Sequence, residues 1–524
     1  VKAEPSALHT VVVGTGYSLA ALIASRFLAV ISSIVVARLL GRTNLGMVAI
    51  VNNVLNLAAL FATVGIPVAL TRLVAHYAAN DRRRVGAVLA TTLGILLPFL
   101  LLLGTVLFAG AGWLADRVYH DAALAPLLRI AAGTLVVGAL GSAGVGQALL
   151  QGFKEIRTIS LVNIATSALG VPVIIGLTAT LHLTGNVLAQ LVLVLVGLTL
   201  VVAAILLRQA RAPALTSPDA ECTQYSPSPN SHGWSVYGPF RFERPLAREV
   251  LNIAIPSFLS GFVMTPALWF TTTHLSQMRG FGEVGLFNIC FTVFQMIMFL
   301  PTAVGMPLVP LIAEAGTAEG ERVRRLVQSA LNGTGLLTFL LAATVSAFAQ
   351  PLVRILYGAG YSGAAGAMTI LAGAAFFNGL IFVFGHYFAG TGKMWIGMVF
   401  NFIWFAVLIG SSVPTVGPLG VTGLALCFWV AYFVMTVGIL IYAHKAVGIA
   451  VRYAVVLCLL SVLATGLSFV ALQQMHGFGL WASRIGIVTV SSALGYLLLP
   501  TKTDWLRGIT ELRQLAARRM KARD

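Results

Sequence analysis

Val11-Val-Val-Gly-Thr-Gly-Tyr-Ser-Leu-Ala-Ala-Leu-Ile-Ala-Ser-Arg26-Phe-Leu-Ala-Val-Ile-Ser-Ser-Ile-Val-Val-Ala37 is an apolar segment interrupted by a single charge. About 20 apolar residues suffice to cross a bilayer as a helix, so this segment is long enough. A cation at the centre of such a helix costs ~2.5–3.5 kcal/mol on insertion scales and normally faces a cavity or a partner. None of the 16 acidic residues falls inside a hydrophobic segment, so no acid at membrane depth can pair with Arg26. The simplest resolution is an anion that comes and goes.

The rest of the chain extends this reading. A mean hydropathy of +0.93, with 58% hydrophobic and only 9% charged residues over 524 positions, is too apolar for a soluble chain of this length. The expected fold class is an all-α polytopic membrane protein. Hydropathy marks about fourteen spans, near 11–37, 45–79, 85–115, 124–150, 157–181, 185–207, 248–276, 282–313, 323–350, 363–390, 393–413, 418–443, 450–472 and 478–500. The second span is expected to kink at Pro67. The first span is too long for a signal-peptide core and is expected to remain in the membrane.

The net charge of +17 reads as basic loops beside anionic lipid rather than as a nucleic-acid surface. With the N terminus inside, 24 of the 33 basic residues fall on the cytoplasmic side. Six fall outside (Arg38, Arg42, Arg117, Arg279, Arg354 and Arg484), and Arg26, Arg72 and Arg129 lie within or at the edge of spans. The positive-inside rule then places both termini in the cytoplasm. The cysteines show no paired spacing, so neither a disulfide framework nor a metal site is expected.

Residues 208–247 are polar and proline-rich and read as a flexible cytoplasmic linker. The halves on either side echo each other. Gly46-Met-Val-Ala-Ile-Val-Asn-Asn, Val64-Gly-Ile-Pro67 and Asp81-Arg-Arg-Arg-Val85 match Gly285-Leu-Phe-Asn-Ile-Cys-Phe-Thr, Val304-Gly-Met-Pro307 and Glu319-Gly-Glu-Arg-Val323. Gln151-Gly-Phe-Lys154 is echoed by Gly390-Thr-Gly-Lys393. The echoes lie six spans apart in the same orientation, which implies two six-helix bundles in direct repeat with a cavity between them. The expected organisation is a lobe at 1–207, the linker at 208–247, a lobe at 248–445, two further spans at 446–500 and a basic cytoplasmic tail at 501–524. The tail reads either as an interfacial amphipathic helix or as a solvated end. Gly138, Gly141, Gly144 and Gly146 read as close helix packing.

The stretch Ala37-Arg-Leu-Leu-Gly41, Leu45-Gly46, Val64-Gly-Ile-Pro67 and Arg72 resembles the opening of Wzx-type polysaccharide transporters, of the multidrug/oligosaccharidyl-lipid/polysaccharide exporter superfamily. Leu356-Tyr-Gly358 with Tyr361 is similar to the family's C-terminal lobe. The resemblance extends over nearly the whole chain. It implies two lobes, alternating access, and movement of polyprenyl-pyrophosphate-linked sugars between leaflets. Implied partners are the lipid-linked saccharide, membrane lipids, and a polysaccharide polymerase with other assembly proteins, at the inner (cytoplasmic) membrane.

Such a substrate needs a wet cationic cavity, and arginine binds phosphate oxygens in pairs. Arg26 is the first candidate; a structural arginine bonded to helix carbonyls is the alternative. Arg72 could take substrate from the cytoplasmic leaflet or anchor at the interface. Asn52 and Asn56, on one helix face, and Gln295, near the repeat equivalent of Asn56, could meet sugar hydroxyls or bond between helices. His274, Asn378 and His386 are further polar groups at depth. A histidine that titrates near neutrality could couple proton movement, against the alternative of a neutral ring satisfied by a neighbouring helix. No metal-ligand spacing, nucleotide-binding loop or nucleophile–base arrangement is present, so no cofactor and no enzymatic chemistry are expected. A cation-coupled multidrug exporter of the same superfamily is the alternative function. It would normally carry a membrane-embedded carboxylate, and none is found here.

Overall fold

The computed structural model describes residues 7–81, 84–141, 144–153, 155–211, 240–305, 308–309, 312, 320–474 and 477–498; the side chains of residues 7–27 and of a few other helix positions lie outside it. The central part of the expected linker and the whole expected tail therefore fall outside the described residues. The described chain is helical, without strands: α1 (Ala7–Thr63), α2 (Ile66–Asn80), α3 (Val85–Trp113), α4 (Leu124–Leu140), α5 (Val145–Gly152), α6 (Ile156–Arg211), α7 (Arg244–Gly261), α8 (Met264–Arg279), α9 (Phe281–Gly305), α10 (Gly320–Ala347), α11 (Ala349–Leu356), α12 (Ala364–Thr391), α13 (Met394–Tyr442), α14 (Arg452–Gln474) and α15 (Gly477–Leu497).

Ten of these stretches are long and apolar enough to cross a membrane, and the bent pair α7–α8 makes eleven. Three of them are continuous in name only: α1 breaks at Gly41, α6 at His182 and α13 at Gly420. Each is therefore two helical segments, with its break at or within a few residues of a gap between expected spans. The chain is a polytopic all-α membrane protein. Exposed apolar side chains recur at helical spacing, as with Leu459, Leu463 and Leu467 on α14. A row of that kind is stable only against lipid or another apolar surface.

The duplication read from sequence reappears in the backbone. Residues with positive φ occur at Gly41 and Gly280, at His120 and Gly358, and at His182 and Gly420, pairs separated by 239, 238 and 238 residues. Gly41 and Gly280 share nearly the same conformation (φ 74°, ψ 170° and φ 82°, ψ 172°), as do His182 and Gly420 (φ 49°, ψ −122° and φ 58°, ψ −136°). The left-handed region is easy for glycine and strained for histidine, so the sequence places His120 and His182 in gaps between expected spans without marking them for a positive φ.

Packing divides the chain into two compact units, Val1–Ser32 with Val54–Phe262 and Ser33–Asn53 with Val263–Asp524. Residues 33–53, from the first half of the sequence, thus pack within the second unit. In the first unit, Leu70, Leu73 and Val74 of α2 meet Val88 of α3, Leu149 of α5 and Val250 of α7 in one buried cluster. The chain enters α2 through Val64 and Gly65, both with positive φ, and Pro67 then occupies the first turn of the new helix. The expected kink is therefore a break just before the proline, which suits the first helical turn, where an N–H has no partner. Gly141 and Gly146 do lie against α6, at Leu198 and Val201.

In the second unit, α12 is the central element: 83% of its apolar window is buried, against 11% for α6 in the first. Phe376, Phe377, Phe384 and Phe388 of α12 are all fully enclosed. The second half of α1 crosses α9 backbone to backbone. A Cβ placed on Gly46 would fall 1.8 Å from the Phe281 carbonyl oxygen, and one on Gly285 would fall 1.9 Å from that of Arg42. Gly46 and Gly285 are the repeat-equivalent glycines of the sequence, and each contacts the residue four before the other, the reciprocal pattern of a two-fold contact.

Among the described residues, the acids within helices stay near helix ends. Glu249 is the sixth residue of α7 and accepts a hydrogen bond from the Tyr77 hydroxyl at 3.1 Å. Glu283 is the third residue of α9 and accepts from the Val421 N–H at 2.8 Å, beside the break in α13. Both lie inside helices that the sequence reading had left free of acids, but only near their starts.

Candidate functional site

Arg26 lies on α1 nineteen residues after the helix begins and fifteen before the break at Gly41, near the middle of the first span. Its side chain is outside the described residues. Arg72 on α2 is exposed. Asn56 is exposed and belongs to the first unit, whereas Asn52 is half-buried in the second. The amide with a described interhelical bond is their neighbour Asn53, which donates to Thr272 Oγ1 of α8 at 3.0 Å. Thr272 in turn donates to the Leu268 carbonyl at 2.7 Å. Interhelical amide bonding, one of the two roles weighed for this asparagine cluster, thus falls to Asn53.

His274 follows Thr272 on α8. Its ring stacks on Phe270 at 6.1 Å between centroids, and its buried Nε2 has no hydrogen-bond partner among the described residues. A buried polar nitrogen without a partner is uncommon and marks a group that a ligand or water can satisfy. His386 on α12 donates from Nδ1 to the Phe382 carbonyl at 2.8 Å, which leaves Nε2 free to accept or to gain a proton. The same ring packs on Gly305 of α9, where an added Cβ would lie 2.4 Å from Cε1. Asn378 is half-buried on α12, two turns from His386, and Gln295 is exposed on α9. The structure thus gathers Asn52, His274, Gln295, Asn378 and His386 into the second unit, and places Arg26, Asn56 and Arg72 in the first. No group of three histidine, cysteine or acidic side chains suited to a metal occurs among the described residues.

The two stretches that carry the family resemblance are physically joined. Arg38 Nε donates to the Leu356 carbonyl at 2.8 Å and Nη2 donates to that of Ile355, closing the C-terminus of α11. The Tyr361 hydroxyl donates to the Ala37 carbonyl at 2.6 Å. Burial pushes Tyr361 up to about 12, so it stays protonated and remains a donor. Sequence reasoning set Arg38 aside as an outer-side charge; its place in the Ala37–Gly41 stretch was the signal that it had a partner.

A family model described as polysaccharide biosynthesis protein matches residues 11–316. A comparison with curated protein sequences gives no match. Among solved structures, the chain is similar to lipid II flippase MurJ in an inward closed conformation, at TM-score 0.69 and 13% identity, covering 91% of this chain and 97% of that one. It is also similar to an inward-facing multidrug resistance MATE family transporter of the MOP superfamily, at TM-score 0.65 and 15% identity, covering 81% and 94%. A third match is a MOP superfamily transporter from Pyrococcus furiosus whose binding pocket is described as of reverse polarity, at TM-score 0.59 and 14% identity, covering 85% and 97%. At these identities the likeness is one of fold alone; by the family match over more than half its length, the chain belongs to the polysaccharide biosynthesis protein family.

Proposed function

We propose that this protein is a flippase that carries a polyprenyl-pyrophosphate-linked oligosaccharide across the cytoplasmic membrane by alternating access, for cell-surface polysaccharide synthesis. The observation that carries the reading is Arg26 in the middle of the first span, in a chain whose described helices hold acids only within six residues of an end. A guanidinium at that depth has an anion as its natural counterpart. A cation or drug exporter would place a carboxylate there instead. Asn52, Asn56 and Gln295 would meet sugar hydroxyls, and Arg72 the incoming pyrophosphate. His274, with its unpartnered Nε2, and His386, with its available Nε2, are the groups suited to proton coupling, with Asn378 as a further polar lining. The lobes at 1–207 and 248–445 would act as the moving halves, with 208–247 as their tether. A polymerase that consumes the outward product is the implied partner.

Two measurements test this. Proteoliposomes loaded with a fluorescent polyprenyl-pyrophosphate saccharide should expose it on the opposite leaflet only when the protein is present, while a cationic dye should not move. Dye efflux without saccharide movement would overturn the reading in favour of the exporter. Reporter fusions at residues 225 and 524 should report the cytoplasm, and fusions at 119 and 358 the outside. Those positions follow from the basic-residue asymmetry and the parity of the fourteen spans expected from hydropathy, and a cytoplasmic signal at 358 would break both.

A further inference from the structure

An open cleft of about 740 Å³ lies in the second unit, lined by Arg38, Gly41 and Arg42 at the break of α1 and by Tyr357, Gly358 and Gly360 after α11. Arg38 is held at one edge by the carbonyls of Ile355 and Leu356. Arg42 is exposed and makes no ion pair or hydrogen bond among the described residues. Its Nε lies 3.6 Å from where a Cβ on Gly282 would stand. The acid next to that glycine, Glu283, is engaged with the Val421 N–H and pairs with neither arginine. No acid lines the cleft. Gly41, Gly358 and Gly360 have open space where a side chain would be, so bare backbone faces whatever enters. Near the lining residues in sequence, Leu39 follows Arg38 and Ile355 lies in the last turn of α11, and their apolar side chains are 43% and 70% exposed.

We propose that this cleft binds a phosphate or pyrophosphate ester, with the head group at Arg38 and Arg42 and an attached acyl or prenyl chain along Leu39 and Ile355. Two guanidinium groups without an acid match the charge of a phosphate, Arg42 with a whole fork to offer and Arg38 with the N–H groups that the Leu356 and Ile355 carbonyls leave over. Exposed apolar side chains next to Arg38 and at the end of α11 suit an amphiphile better than a soluble anion. The site is separate from Arg26. With the N terminus cytoplasmic, as proposed above for topology, it sits at the outer end of the first span, where a translocated pyrophosphate or an outer-leaflet lipid phosphate would arrive.

The test uses the full chain purified in detergent with a photoreactive phosphatidic acid, and maps labelled peptides by mass spectrometry. Labelling is expected around residues 39 and 355–361, and should fall at least about tenfold in Arg42→Ala, the loss of a charge-assisted contact. Arg42→Lys should retain part of it. Competition by inorganic pyrophosphate would show that the anion alone suffices; labelling that resists pyrophosphate but tracks Arg42 would show that the lipid-borne form is recognised. Equal labelling by a photoreactive diacylglycerol, or undiminished labelling of Arg42→Ala, would overturn the proposal. Arg26→Ala, which the flippase reading makes inactive, should still be labelled here, so the two readings fail independently.

Discussion

Arg26→Ala is expected to reach the membrane at wild-type level and to translocate no lipid-linked saccharide, with precursor accumulating on the cytoplasmic leaflet. The substitution removes an insertion penalty of ~2.5–3.5 kcal/mol, so insertion should not suffer. It also removes the group proposed to replace water around a pyrophosphate inside a low-dielectric cavity, where an uncompensated anion is prohibitively costly. Arg26→Lys keeps the charge without the paired donors, and should leave partial activity. A structural arginine behaves differently: Arg26→Ala would lower folded protein and activity together, and Arg26→Gln would restore both through hydrogen bonding. Membrane yield and translocation measured on the same samples separate the cases. Full translocation by well-expressed Arg26→Ala would falsify the anion-site reading.

The second large effect is expected at the crossing of α1 with α9. An alanine at Gly46 or Gly285 puts a methyl group under 2 Å from a main-chain carbonyl oxygen, and neither backbone can give way without moving its helix. Small residues at such crossings let membrane helices approach closely enough for dispersion contacts to hold them. Each single alanine should therefore cost at least the ~1–3 kcal/mol typical of a forced core insertion, and valine should abolish folded protein. Because both methyl groups separate the same pair of helices, the double alanine variant should cost less than the sum of the two. Thermal stability in detergent, followed by size-exclusion fluorescence, reads this directly. Wild-type stability of Gly46→Ala would show that the helices do not touch there.

The sequence determined the class of fold by itself, because a bilayer imposes one length scale on every apolar segment and forbids unpaired backbone within it. The all-helical polytopic architecture follows from that constraint, and the direct repeat was legible separately, in the echoes of Gly46 by Gly285 and of Lys154 by Lys393. What hydropathy could not show is the backbone conformation at each break. His182 lies in the gap expected between the spans at 157–181 and 185–207, but its residue type does not announce a positive φ, and Val64 precedes a proline that looked like the kink; packing, rather than local preference, holds their strained backbone. Partners were equally hidden. Nothing in Asn52-Asn53 says which amide meets Thr272, since a helix presents adjacent residues about 100° apart and only the position of α8 selects one. The clasp of Arg38 on the end of α11 joins residues more than 300 apart in sequence. Both stretches were visible as motifs, but their union, and the cationic cleft it leaves open, exists only once residues 33–53 pack within the second unit.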